Sequence, residues 1–174
     1  MTIINPGENI LLPEPYFPLY GPDATLVGGE AKYYPCLFDH EFIPQVADLE
    51  ALVDDRTVAI LYNFPSNPTG GTLNEQQRDD LLAFAAKHDL WIISDEVYDR
   101  IVFETEHVSF MGTGYDKLMV VNSFSKTFAM TGWRIGYIVS TNLEAMKQVV
   151  KIQYYISACS NDAMQYAVCL LYTS

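Results

Sequence analysis

TVAILY, from Thr57 to Tyr62, is six residues without a charge, rich in β-branched and aromatic side chains. A run of that kind does not alternate between a wet and a dry side. It reads as a strand buried on both faces, the kind found inside parallel sheets. Downstream, Asn63 to Gly71 carries two prolines and two glycines and reads as a loop. Thr72-x-x-Glu75 has the spacing of a capping box and predicts a helix through about His88, with Leu81, Phe84, Ala85 and His88 on one face. LWIIS (Leu90 to Ser94) and KLMVVN (Lys117 to Asn122) repeat the buried-strand pattern, Ile135 to Ser140 is a further strand, and a helix follows from about Asn142. Upstream, Asn9 to Leu12 reads as a strand that leaves irregularly through Pro13, Pro15 and Pro18. The next apolar segment stops at Gly28-Gly29, as a helix would. Glu30 to Cys36 suits a strand, and Gln45 to Val53 suits a short helix with Val46, Leu49 and Leu52 at helical spacing. Strand and helix in this rhythm mean an α/β domain with a mostly parallel sheet, whose ligands sit at the carboxyl ends of the strands.

The chain has 174 residues, 49% of them hydrophobic, enough to bury a core. Ten basic against 22 acidic residues leave a formal charge of −12. An acidic surface repels phosphate backbones and anionic lipid, so neither nucleic acid nor a membrane is expected as a partner. No stretch reaches the roughly 20 apolar residues of a membrane helix. The opening residues, from Met1 to Pro6-Gly7, lack the basic start of a signal peptide. Cys36, Cys159 and Cys169 are odd in number and widely spaced, which predicts buried free thiols rather than a metal site or a disulfide framework. The expected setting is the cytoplasm.

Four polar clusters fall just after strand ends: Asn67-Pro68-Thr69-Gly70, Asp95-Glu96-Val97-Tyr98, Ser123-Phe124-Ser125-Lys126 and Thr131-Gly132-Trp133-Arg134. Singly, each has an ordinary explanation: a turn, a helix cap, a rim tyrosine, a solvated lysine, an ion-pairing arginine. Together they change the odds. A lysine held away from water beside cations is a nucleophile for carbonyls. An aspartate on a neighbouring strand can balance a positive ring nitrogen, and hydroxyls with an arginine suit a phosphate dianion. Those are the parts that a pyridoxal 5′-phosphate site needs.

The segments NFPSNPTGG, ISDEVYDRIVF and VNSFSKTFAMTGWRIGY resemble, in order and spacing, the class I/II aminotransferase family of fold-type I pyridoxal phosphate enzymes. GENILLPEPYFPLY extends the similarity upstream. The resemblance implies a three-layer α/β/α fold with a mostly parallel sheet, here as an incomplete large domain of the aspartate aminotransferase-like kind. It implies that Lys126 bonds covalently to the cofactor and later shuttles a proton, and that Asp95 pairs with the pyridine nitrogen. Asn67 and Tyr98 would hydrogen-bond the ring oxygen. Ser123 and Arg134, with Ser125 assisting, would bind the phosphate, and Phe17, with Tyr16 as its rival, would stack on the ring. Gly132 and Trp133 would fix the turn that delivers Arg134. An amino acid and a 2-oxo acid would be the substrates, and the full-length protein a homodimer.

The family's members are more than twice this length, and the small domain that supplies the arginine for the substrate carboxylate has no counterpart here. Arg56, Arg78 and Arg100 are expected on the surface. Residues 1–168 are expected to be a partial cofactor-binding domain, inactive alone because substrate-gripping parts lie outside it. CLLYTS, residues 169–174, reads as the translation of a sequencing adaptor. Two alternatives share the motifs: a carbon–sulfur lyase or an aminocyclopropane-carboxylate synthase-like enzyme of the same fold, and a non-catalytic sensing domain of a regulator.

Overall fold

The TVAILY run is a central strand. In the computed structural model, which describes residues 2–173, β1 (Asn9–Glu14), α1 (Tyr20–Leu26), β2 (Glu30–Pro35), α2 (Val46–Leu52), β3 (Thr57–Asn63), α3 (Glu75–Lys87), β4 (Trp91–Asp95), β5 (Leu118–Ser123), α4 (Phe124–Thr127), β6 (Gly136–Val139), α5 (Leu143–Ser157) and α6 (Asp162–Thr173) follow in order. Met1 and Ser174, the outer ends of the expected domain and tail, lie outside the described residues. The rest of that tail, Cys169 to Thr173, continues α6.

Six strands form one sheet in the order β2-β1-β3-β4-β5-β6, with β1 to β5 parallel and β6 antiparallel to β5. The order reverses between β1 and β3, so the crevice beyond their carboxyl ends is the expected ligand position. Both faces are covered, which is why the strand sequences are continuously apolar. On one face Leu49 of α2 and Leu81, Phe84 and Ala85 of α3 pack with Leu11, Ile60, Tyr62 and Ile92. On the other, Ala24 of α1 packs with Ile4, Ile10, Leu12, Ala59 and Leu61. This is the three-layer arrangement expected.

Several local readings change. The cap of α3 is Asn74, not Thr72: Asn74 Oδ1 accepts from Gln77 N at 2.9 Å, and Gln77 Oε1 accepts from Asn74 N at 2.8 Å. Asparagine is the stronger cap, and its spacing to Gln77 completes the box. His88 lies just past the helix, with Nε2 3.0 Å from Glu50 Oε2. Cys36 is buried, and burial pushes its thiol up to about 12, but Cys159 and Cys169 are exposed because α5 and α6 leave much of their surface open. Arg56 and Arg100 are on the surface, whereas Arg78 is largely covered and donates to Ser109 O at 3.2 Å. The strand near Ile135 is shorter than expected, and all four residues of β6 are exposed. It runs antiparallel to β5, to which α4 and a single 3-10 turn connect it.

Candidate active site

Every motif residue lies at or after the carboxyl end of a strand. Asp95 ends β4, whose register sets it opposite Asn63 of β3 and Val121 of β5. Asn63 is buried and ties the two strand ends, donating through Nδ2 to Asp95 O at 3.1 Å and accepting at Oδ1 from Asn67 N at 2.8 Å. The asparagine that ends TVAILYN thus holds the NPTG loop against Asp95. Asn67 Nδ2 then lies 3.5 Å from the Tyr98 hydroxyl, at the long limit of a hydrogen bond.

Asp95 is partly buried. Tyr20 donates to its Oδ2 at 2.6 Å, and Val97 N donates to Oδ1 at 3.2 Å. Burial raises its proton affinity most. The bonds from Tyr20 and Val97 oppose that, the neighbouring Glu96 adds to it, and the Lys126 charge lowers it; the net direction is up. Burial and the Asp95 carboxylate likewise push the Tyr20 hydroxyl far above the usual phenol range, so it is a fixed donor. Phe17 meets Tyr20 edge to face at 5.7 Å, whereas Tyr16 stacks on Tyr33 at 5.0 Å. Phe17 is therefore the aromatic on the Asp95 side, and Tyr16 is turned to β2.

Across the site, Ser123 ends β5 and caps α4, accepting from Ser125 N at 3.1 Å. Its hydroxyl lies 2.9 Å from Ser125 Oγ and 3.1 Å from Ile135 O. The Ile135 carbonyl also accepts from Phe124 N, so the residue after Arg134 is fastened to the start of α4. Thr131 donates to Ser125 O at 3.1 Å. Arg134 follows the 3-10 turn Thr131–Trp133 with φ of 54°, a left-handed conformation that costs a non-glycine residue about 1–2 kcal/mol. Its Nη1 donates to Thr131 O at 2.9 Å. Gly136 is needed next, because a β-carbon there would stand 2.6 Å from Asn122 O.

Lys126 Nζ lies 5.4 Å from the centre of the Tyr98 ring, within cation–π range. The lysine is exposed, contrary to the expected burial, because the described chain places nothing over it. Neither Lys126 nor Arg134 has an ion-pair partner among the described residues. The expected residues thus form two groups: Asn67, Asp95, Tyr98 and Phe17 with Lys126 above Tyr98, and Ser123, Ser125 and Arg134 around the start of α4. Sequence reasoning missed Tyr20 and Asn63. A signal for Tyr20 existed, since it is the third aromatic after β1.

An amine, a carboxylate on the next strand, a phenol with an amide, and a hydroxyl with a guanidinium form a donor set that fits pyridoxal phosphate. In particular, a partly buried carboxylate with raised proton affinity and an oriented donor suits a cationic ring nitrogen.

Residues 1–170 match the profile of the family described as aminotransferase class I and II, and the chain belongs to that family. Enzymes of this family depend on pyridoxal phosphate. The chain is 36% identical over 169 residues to an aspartate aminotransferase of Pyrococcus abyssi, covering 95% of this chain and 43% of that protein. It is 35% identical to aromatic-amino-acid aminotransferase 2 of Thermococcus litoralis, again over 95% of this chain and 43% of the other. The crystal structure of an aromatic aminotransferase from Pyrococcus horikoshii superposes with a TM-score of 0.94 at 35% identity, over 99% of this chain and 47% of that one. The chain spans under half the length of these relatives.

Proposed function

We propose that the intact protein is a pyridoxal phosphate-dependent aminotransferase moving an amino group between an amino acid and a 2-oxo acid, with residues 1–168 as part of its cofactor-binding domain. The observation that carries this reading is the Lys126 amine above the Tyr98 ring, 5.4 Å from its centre, with the Asp95 carboxylate close enough to feel its charge. When bound, the cofactor supplies an aldehyde carbon and an electron-accepting ring.

The chain's own residues have separable tasks. Lys126 Nζ would hold the cofactor's aldehyde carbon and would take up and return the substrate's α-proton. Asp95 holds a proton on the ring nitrogen, and Tyr20 keeps its carboxylate aimed there. Asn67 and Tyr98 orient the ring oxygen, and Phe17 covers a ring face. Ser123 Oγ and the Arg134 guanidinium would bind the phosphate, with Ser125 assisting, and the Thr131 carbonyl holds Arg134 Nη1 at 2.9 Å.

Incubating the intact protein with an amino acid and an unrelated 2-oxo acid tests the reaction. Equimolar appearance of the new amino acid and the new 2-oxo acid is expected. Pyruvate and ammonia formed with no 2-oxo acid added would replace the reading with a lyase. The relatives' names span aspartate and aromatic amino acids at nearly equal identity, so similarity does not select one substrate. A homodimer and a reducing, cytoplasmic setting belong to the same proposal. The apolar residues left open on α5, such as Tyr154, Tyr155 and Ile156, support an assembly larger than this piece, and three free cysteines support the setting. Sedimentation of the intact protein at the mass of one chain would remove the dimer.

A further inference from the structure

Asp95 and Glu96 are consecutive, yet their carboxylates have different surroundings. Asp95 faces Tyr20, while Glu96 is 3% exposed beside the far end of the next loop. Glu96 Oε1 accepts from Ser94 Oγ at 2.8 Å and from Phe110 N at 3.1 Å. Its Oε2 accepts from Ser109 Oγ at 2.6 Å and lies 2.8 Å from His107 Nε2. Four partners fill the acceptor sites of a carboxylate. Three of them come from 11 to 14 residues away, across a loop that forms no strand or helix. That loop carries Tyr98. Its far end is fixed to the core, with Arg78 bonded to Ser109 O and the Phe110 ring stacked on Tyr62 at 5.2 Å.

We propose that Glu96 is a positioning residue for the cofactor site: its carboxylate clasps both ends of the 97–110 loop, thereby fixing Tyr98, and adds a second negative charge behind Asp95. The proposal rests on the functional reading above. A bare loop fastening could use a neutral side chain, but a charge placed next in sequence to Asp95 also acts on it. Glu96 raises the proton affinity of Asp95, and four hydrogen bonds keep Glu96 itself ionised despite its burial. A cation held beside Asp95 is favoured by both carboxylates.

Two measurements on Glu96→Gln in the intact protein test the two parts. Glutamine keeps the volume but loses the charge and one acceptor oxygen. The first uses trypsin on the cofactor-free protein, read as cleavage after Arg100, whose side chain is exposed within the loop. Cleavage at least tenfold faster than in the wild type is expected, because the loop opens more often. An unchanged rate overturns the clasp, whatever the protein catalyses. The second is the pH midpoint of the bound cofactor's absorbance, expected to fall by about one unit when a nearby negative charge is removed. Glu96→Asp, which keeps the charge but shortens the reach, is expected to hold the midpoint near the wild-type value while still speeding cleavage. A lowered melting temperature with an unmoved midpoint would make Glu96 merely structural and overturn its role at the site. If Glu96→Gln does not accumulate, Ser109→Ala removes one donor and is judged by the cleavage rate in the same way. Wild-type protein that shows no cofactor absorbance would refute the functional reading and the site role together, and the trypsin result would still decide the clasp.

Discussion

The two halves of the site are built differently. The carboxylate half sits at the ends of β1, β3 and β4, and buried or partly buried groups hold one another there: Asn63 fixes Asn67 and bonds Asp95 O, Tyr20 fixes the Asp95 carboxylate, and Glu96 fastens the loop of Tyr98. The cation half sits at the end of β5 and beside β6. Its hydrogen bonds stay within one short stretch, Ser123 to Ile135, and Lys126 and Arg134 are exposed. The difference lies in cover. β3 and β4 are packed on both faces, whereas β6 is exposed along its length and α5 buries no residue. One half is held by bonds that join distant parts of this chain, and the other by bonds within its own short stretch, with its two cations exposed.

The comparison can be broken most strongly at Asp95. Asp95→Ala in the intact protein is expected to lower kcat/KM by about a hundredfold or more, as loss of one preorganised electrostatic group does. Steady-state kinetics check this, and a loss under fivefold would deny that half its importance. Arg134→Lys should weaken cofactor binding by roughly tenfold, because an ammonium lacks the guanidinium's paired donors. Equilibrium dialysis measures it. Tyr20→Phe should have a smaller effect, several-fold on the same affinity, since Val97 N still bonds Asp95.

Stability against pH sharpens the contrast between the adjacent carboxylates. Burial pushes Glu96 up, but its bonds, led by that of His107, outweigh burial and hold it below the usual range. Its contribution is therefore present above the ordinary carboxylate value and is lost as pH falls through the lowered one. Asp95 is raised, so its contribution has the opposite sign: present below the ordinary value and lost as pH rises through the raised one. In the cofactor-free protein Asp95→Asn should accordingly raise the urea midpoint at pH 7 and leave it nearly unchanged at pH 3. A fall at pH 7 would contradict the direction of the shift.

The sheet was legible because strands covered on both faces must be apolar throughout, as Thr57–Tyr62 is. The motifs at its strand ends were legible for the converse reason: polar residues that end apolar runs stand out. Tyr20 was only half legible: its place as the third aromatic after β1 marked it, but its partner is 75 positions away on β4, and the pairings of β1 with β3 and of β3 with β4 are needed to bring them together. The cap of α3 was misplaced because Thr72-x-x-Glu75 and Asn74-x-x-Gln77 both have the capping-box spacing, and spacing alone cannot choose between them. The exposure of Lys126 had no sequence signal, since exposure depends on what covers a residue and not on the residue itself.

The most direct test is reduction of the cofactor-loaded intact protein with borohydride, followed by peptide mapping. The account predicts one labelled peptide, carrying the label on Lys126, and no label in Lys126→Ala. Label on another lysine, or labelling undiminished by that substitution, would contradict it.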